Sequence, residues 1–187
     1  MAIILASASP RRKELLRLIT PDFEVVTSSV DESAVRADSP SGLALALACA
    51  KCEDVARTHF SDAVIGCDTV VEAGGKVLGK PRDKADARRM LQMYSGRSHL
   101  VHTGVCVQKA GLREKFTVTT RVTFCPMTRA EIEAYISMDE PYDKAGAYGI
   151  QGTAARFVRG VEGCYFNVMG LPVSRLYAAL KSLGVRI

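Results

Sequence analysis

IILASASPRRKELL, residues 3–16, runs from a β-branched apolar segment into a helix start within a few residues. Ile3-Ile4-Leu5 has the composition of a short buried strand. Ser9 is a good N-cap and Pro10 suits the first helical position, so a helix is predicted over 10–19. At 100° per residue Leu15, Leu16, Leu18 and Ile19 share one face, with Lys13, Glu14 and Arg17 opposite. Arg12 falls near the middle of the apolar face and Arg11 on its flank. A guanidinium aimed along the buried side of a helix start points to an anion, which the free N–H groups and dipole of the first turn also favour. A surface arginine fraying with that turn fits the local pattern equally well.

Working outward, the chain reads as strand (3–7), helix (10–19), strand (22–27), helix (40–58) and strand (63–71), with a hairpin at Gly74-Gly75. A helix (83–94), two long strands (98–109 and 113–125) and a helix (128–138) follow. A glycine-rich segment, a strand near 157–161 and a last helix over 170–183 close the order. Hairpins mixed with crossover helices predict a mixed sheet in an α/β or α+β domain. The 187 residues fit one domain, 1–187, with two lobes at most.

Composition narrows the class. Hydrophobic residues make up 48% and charged residues 24%, an ordinary globular balance. Lys+Arg minus Asp+Glu is 25 − 20 = +5, spread along the chain, which suits an anionic small ligand. With six Phe, six Tyr, no Trp and no basic stripe, a stacking platform for nucleic acid is disfavoured. The apolar stretch from Gly42 to Ala50 is far too short for a membrane span, and no signal-type leader is evident, so a cytoplasmic location is expected. The six cysteines then read as free thiols. Cys49-Ala-Lys-Cys52 has C-x-x-C spacing but lies mid-helix without a second pair, so a metal-thiolate or redox role is the weaker reading. His99 and His102, three apart in a strand, point to opposite faces, which argues against a shared metal.

Ionisable residues inside apolar patterns carry the functional signal. In the second helix Lys51 lies between Leu47 and Val55 at i, i+4, i+8, on the face that should be buried. Such a lysine either snorkels to water or has a negative partner. Asp68, followed by Thr69, interrupts the apolar run AVIGCDTVV; buried, it needs a cation, a donor or a metal, whereas on an edge strand it would face water. Lys80 is held in a Gly79-Lys80-Pro81 turn. Asp31 and Glu32 follow the second strand in an acidic loop. In DKAGAYGIQG, residues 143–152, Gly146, Gly149 and Gly152 permit unusual backbone angles or the close approach of a ligand, and Gln151 adds an amide that donates and accepts. Cations beside carboxylates that can hold a divalent ion are what polyphosphate chemistry requires. No G-x-x-x-x-G-K-[ST] loop occurs.

LASASPRRKELL, VDES, ACAKCEDVA, GCDTVV, GKPRD, YSGRSHLVHTGV and DKAGAYGIQG…FV…GCYFNVMGLPV together resemble the Maf family of nucleoside triphosphate pyrophosphatases, in order over essentially the whole chain. The resemblance implies a mixed α/β fold related to the inosine triphosphatase group, with a cleft between two lobes. It also implies cleavage between the α and β phosphates, with a divalent metal cation (magnesium or manganese, with cobalt third). By position, Ser7, Ser9, Arg11 and Arg12 are expected to line the phosphate end, and Lys51 and Lys80 to contact phosphate. Glu32 and Asp68 are expected to bind the metal, with Asp68 the acceptor of the water proton. Arg12, Thr69 and Gln151 match positions associated with substrate choice. GAYGIQG looks like the branch acting on dTTP and UTP rather than 7-methyl-GTP. The resemblance further brings a homodimer, a role in clearing non-standard nucleotides, and an association with septum formation. Two other readings stay open: a pyrophosphatase of ITP-type purine nucleotides, and a non-catalytic nucleotide- or nucleic-acid-binding module of cell-division control.

Overall fold

A computed structural model describes residues 1–187. The chain runs β1 (Ile3–Leu5), α1 (Pro10–Arg17), β2 (Glu24–Val25), α2 (Pro40–Ala56), β3 (Ala63–Ala73), β4 (Lys76–Leu78) and α3 (Lys84–Tyr94). It continues with β5 (Ser98–Lys109), β6 (Leu112–Phe124), α4 (Arg129–Ile136), β7 (Val158–Glu162), α5 (Tyr165–Met169) and α6 (Val173–Ser182). Short 3-10 turns span Glu32–Ala34, Ala145–Ala147 and Thr153–Phe157.

The seven strands form one mixed sheet of order β2-β1-β3-β5-β6-β7, with β4 paired to β3. β1 runs parallel to β2 and β3; every other pairing is antiparallel. This is the mixed α/β architecture the sequence predicts. Period-two alternation divides the strand residues between two cores. Ile3, Leu5, Ile65 and Val105 enter the larger one, with α1, α3, α4 and α6. Ile4, Ala6, Val64 and Cys106 enter the smaller one, beneath α2.

On that second face α2 lies against bare backbone. A Cβ on Gly66 of β3 would sit 2.6 Å from Cβ of Cys52 and collide with the Ala48 carbonyl oxygen. One on Gly104 of β5 would collide with the Ala44 carbonyl in the same way. Ala44, Ala48 and Cys52, spaced i, i+4, i+8, are thus the small stripe of α2, and the glycines are the groove that receives it. The close approach decides where Lys51, one residue before Cys52, meets the sheet.

Some elements differ from the sequence reading. β2 is only Glu24–Val25 rather than 22–27. Ser9 occupies the N-cap of α1 but its hydroxyl makes no capping bond. The last helix predicted over 170–183 is found as α6, which follows Gly170 at φ 109° and Pro172, whereas α5, Tyr165–Met169, lies where the sequence predicts no helix. His99 and His102 do point apart: the first bonds the Tyr148 hydroxyl at 2.7 Å, the second Glu72 and Thr119 at 2.9 Å. All six cysteines are unpaired.

Candidate active site

The turn after β1, the start of α1, β3, α2 and the 140–152 segment surround a cleft of about 1260 Å³. All ten residues to which the resemblance assigns a role line it.

Arg12 is more deeply engaged than a free anion-binding side chain. Its Nε donates to the Gly170 carbonyl at 3.0 Å, Nη1 to Ser7 Oγ at 3.1 Å and Nη2 to Thr69 Oγ1 at 3.1 Å. Thr103 spends its one hydroxyl proton on the Asn167 carbonyl at 2.9 Å, so the 3.0 Å contact between the threonines has Thr69 donating to Thr103. One directed chain therefore runs Arg12 to Thr69 to Thr103 to Asn167. It binds the β1–α1 turn, both central strands and the α5–α6 corner, leaving two guanidinium N–H groups for a ligand. The residue is a brace of the cleft as well as a cation in it. Arg11, with its side chain 37% exposed, approaches Asp143 at 3.8 Å.

Lys51 stands between two carboxylates. Its Nζ lies 2.6 Å from Asp68 Oδ1 and 2.7 Å from Glu32 Oε1. The Lys51 and Asp68 side chains are each 12% exposed, Glu32 57%. Asp68 is thus neither bare nor on an edge: its strand is central, and its register partner is Gly104, the residue that lets α2 come close. The lysine on the buried face of α2 and the aspartate inside an apolar strand are each other's partner. Lys80 is exposed on the cleft wall with no side-chain partner, and its turn is tied down by the Gly146 N–H on the Gly79 carbonyl at 2.9 Å. Gln151 is exposed, its amide unbonded to protein.

The donor set fits a divalent cation of the hard, oxygen-seeking kind. Glu32 and Asp68 are brought to one point by the ammonium they share. No cluster of three His, Cys, Asp or Glu side chains is present, so a metal here would draw its other ligands from phosphate oxygens and water, as magnesium does. Sequence reasoning missed Glu140, which lines the cleft and anchors the segment carrying Gln151. Nothing in its local pattern, MDEPYD, separates it from a solvated acid.

The fold and cleft define the class. The solved structures of the Ham1 proteins of Staphylococcus aureus (TM-score 0.56) and Coxiella burnetii (0.52) share this fold, at 14% identity each. Each match covers 100% of the other chain, and 98% and 97% of this one. Residues 2–183 match the family model described as Maf-like protein, and the chain belongs to the Maf family. It is 52% identical over 186 residues to the dTTP/UTP pyrophosphatase of Carboxydothermus hydrogenoformans, covering 98% of this chain and 100% of that one. With the protein of the same name from Bacillus cytotoxicus it shares 48% over 178 residues, 95% and 93% of the two chains. No helix is long and apolar enough to cross a membrane.

Proposed function

We propose that this protein hydrolyses dTTP and UTP between the α and β phosphates, releasing the nucleoside monophosphate and pyrophosphate. The observation that carries the reading is the Glu32–Lys51–Asp68 triad at the base of a cleft that also presents Lys80, Arg12 and Gln151. Near-full-length relatives named dTTP/UTP pyrophosphatase support the substrate class.

The reaction is in-line attack of water on the α phosphorus. Asp68 orients the water and takes its proton, while the α–β bridging bond breaks and its electron pair leaves with pyrophosphate. A triphosphate entering the cleft offers Lys51 anionic oxygens in place of its carboxylate partners, and Lys80 a first partner. Both ammonium groups and the spare N–H groups of Arg12 then face charge that grows on the leaving oxygens, an effect worth several kcal/mol in a closed site. Ser7, Ser9 and Arg11 complete the phosphate end. A divalent cation held by Glu32 and Asp68 would neutralise phosphate charge and acidify bound water. At the other end Gln151 can donate to a pyrimidine carbonyl and accept from the ring N–H.

The test is a panel of dTTP, UTP, CTP, GTP and ITP with magnesium or manganese, scored for pyrophosphate against orthophosphate. Pyrophosphate release fastest with dTTP and UTP is the expected result. Faster ITP turnover would move the protein to purine substrates, and DNA binding without turnover would make it a non-catalytic module.

A further inference from the structure

The glycines around Gln151 do different work from the one a glycine-rich loop usually implies. Gly146 has φ 77°, a left-handed angle. Gly149 is not among the left-handed residues, and Gly152 has φ −98°, open to any residue. What excludes a side chain at 152 is Glu140: a Cβ there would overlap its carboxylate, with Oε2 at 2.5 Å. At 149 a Cβ would meet Lys144 Cε at 2.8 Å and Glu140 Oε1 at 3.3 Å.

The Glu140 carboxylate closes a ring of bonds around the segment. Oε2 accepts from the Thr153 N–H at 2.8 Å. Oε1 accepts from the Tyr135 hydroxyl at 2.9 Å and the Ala154 N–H at 3.4 Å. The Tyr135 oxygen in turn accepts from the Gly149 N–H at 3.4 Å. Between these anchors the Gly152 N–H bonds the Gly149 carbonyl at 3.1 Å, closing a turn whose corners are Ile150 and Gln151. Ile150 is buried in the main core and Gln151 faces out. The tilt of that turn, and so the aim of Gln151, depends on Glu140 gripping both flanks.

We propose that Glu140 is a specificity-positioning residue: by holding residues 149–154 it sets the direction of the Gln151 amide toward the nucleobase. This rests on the reading that Gln151 meets the base. The charge state suits the task. Burial opposes ionisation of Glu140, but the Thr153 N–H, the Tyr135 hydroxyl and the Ala154 N–H outweigh it and hold its pKa below the ordinary 4.5. The carboxylate is therefore ionised at neutral pH, with both oxygens accepting.

The experiment compares kcat and KM for dTTP and GTP in Glu140→Ala, Glu140→Gln, Gln151→Ala and the Glu140→Ala/Gln151→Ala double variant, each checked for folding by thermal melting. Glu140→Ala should lower the dTTP:GTP ratio of kcat/KM by about tenfold or more, mainly through KM for dTTP, because a small misaim costs much of a directional bond. The double variant should match Gln151→Ala, since an amide that is gone cannot be misaimed. Glu140→Gln, which keeps an acceptor oxygen, should recover part of the ratio. A ratio within twofold of wild type in Glu140→Ala, with Gln151→Ala shifted, overturns the positioning role alone. An unshifted ratio in Gln151→Ala overturns the base contact, and the positioning role with it. Should Glu140→Ala fail to fold, the same comparison is read from Glu140→Gln, whose unchanged ratio is the refuting result.

Discussion

Replacing Asp68 by Asn removes one charge and keeps the shape. Lys51 retains Glu32 at 2.7 Å, and the Asn carbonyl oxygen still accepts at the position where Oδ1 now lies 2.6 Å from the ammonium. The fold therefore loses only the difference between a charge-assisted and an ordinary hydrogen bond, about 1 kcal/mol. In a chain of 187 residues that is a melting-point fall of about 2–4 °C. Turnover should suffer far more, because an amide oxygen cannot take the water proton. Loss of a general base lowers kcat by about 10²–10⁴, or about 3–5 kcal/mol of barrier. The assay is pyrophosphate release from saturating dTTP, with melting followed in parallel. A kcat within tenfold of wild type, in a protein melting within a few degrees of it, would show that Asp68 is not the proton acceptor. An inactive variant melting 10 °C lower would refute the structural half, that Lys51 keeps a sufficient partner in Glu32.

Gly66→Ala tests whether the seat of α2 sets the Lys51–Asp68 contact; the added methyl must push the helix off β3. We expect a cost of at least about 3 kcal/mol, roughly 6–12 °C in melting temperature, together with a fall in kcat; full activity with a lower melting point would separate the two. Burial holds the His99 pKa down to about 4 from 6.5, so the fold favours the neutral ring. Its contribution is complete above pH 6.5 and is lost as pH falls toward 4, by about 3 kcal/mol; urea titrations across that window should show the slope, and His99→Phe should flatten it. EDTA should abolish turnover and magnesium restore it, with no change in melting temperature, since the protein offers a metal only Glu32 and Asp68; a large melting shift would mean a structural ion.

Local elements were legible wherever one short-range signal sufficed. Pro10, Pro40 and the Gly74-Gly75 pair punctuate the chain where α1, α2 and the β3–β4 hairpin are found. The last helix is found where the sequence places it, but the short α5 before it carries no local signal: it has five residues, its N-cap Cys164 makes no capping bond, and the left-handed Gly170 ends it. β2 is shorter than the apolar pattern of 22–27 suggests because only Glu24 and Val25 pair with β1.

What the sequence alone determined was that Lys51 falls on the apolar face of its helix and Asp68 inside an apolar strand, for periodicity reports which face is buried and a charge buried there demands a partner. Only the tertiary structure decided that they pair with each other, that Arg12 braces three segments, and that Gly149 and Gly152 make room for Glu140 rather than for a backbone angle. Pairing and close approach are relations between residues far apart in the chain. A residue type records that such a relation is needed, and only the packing of helix on sheet selects the partner.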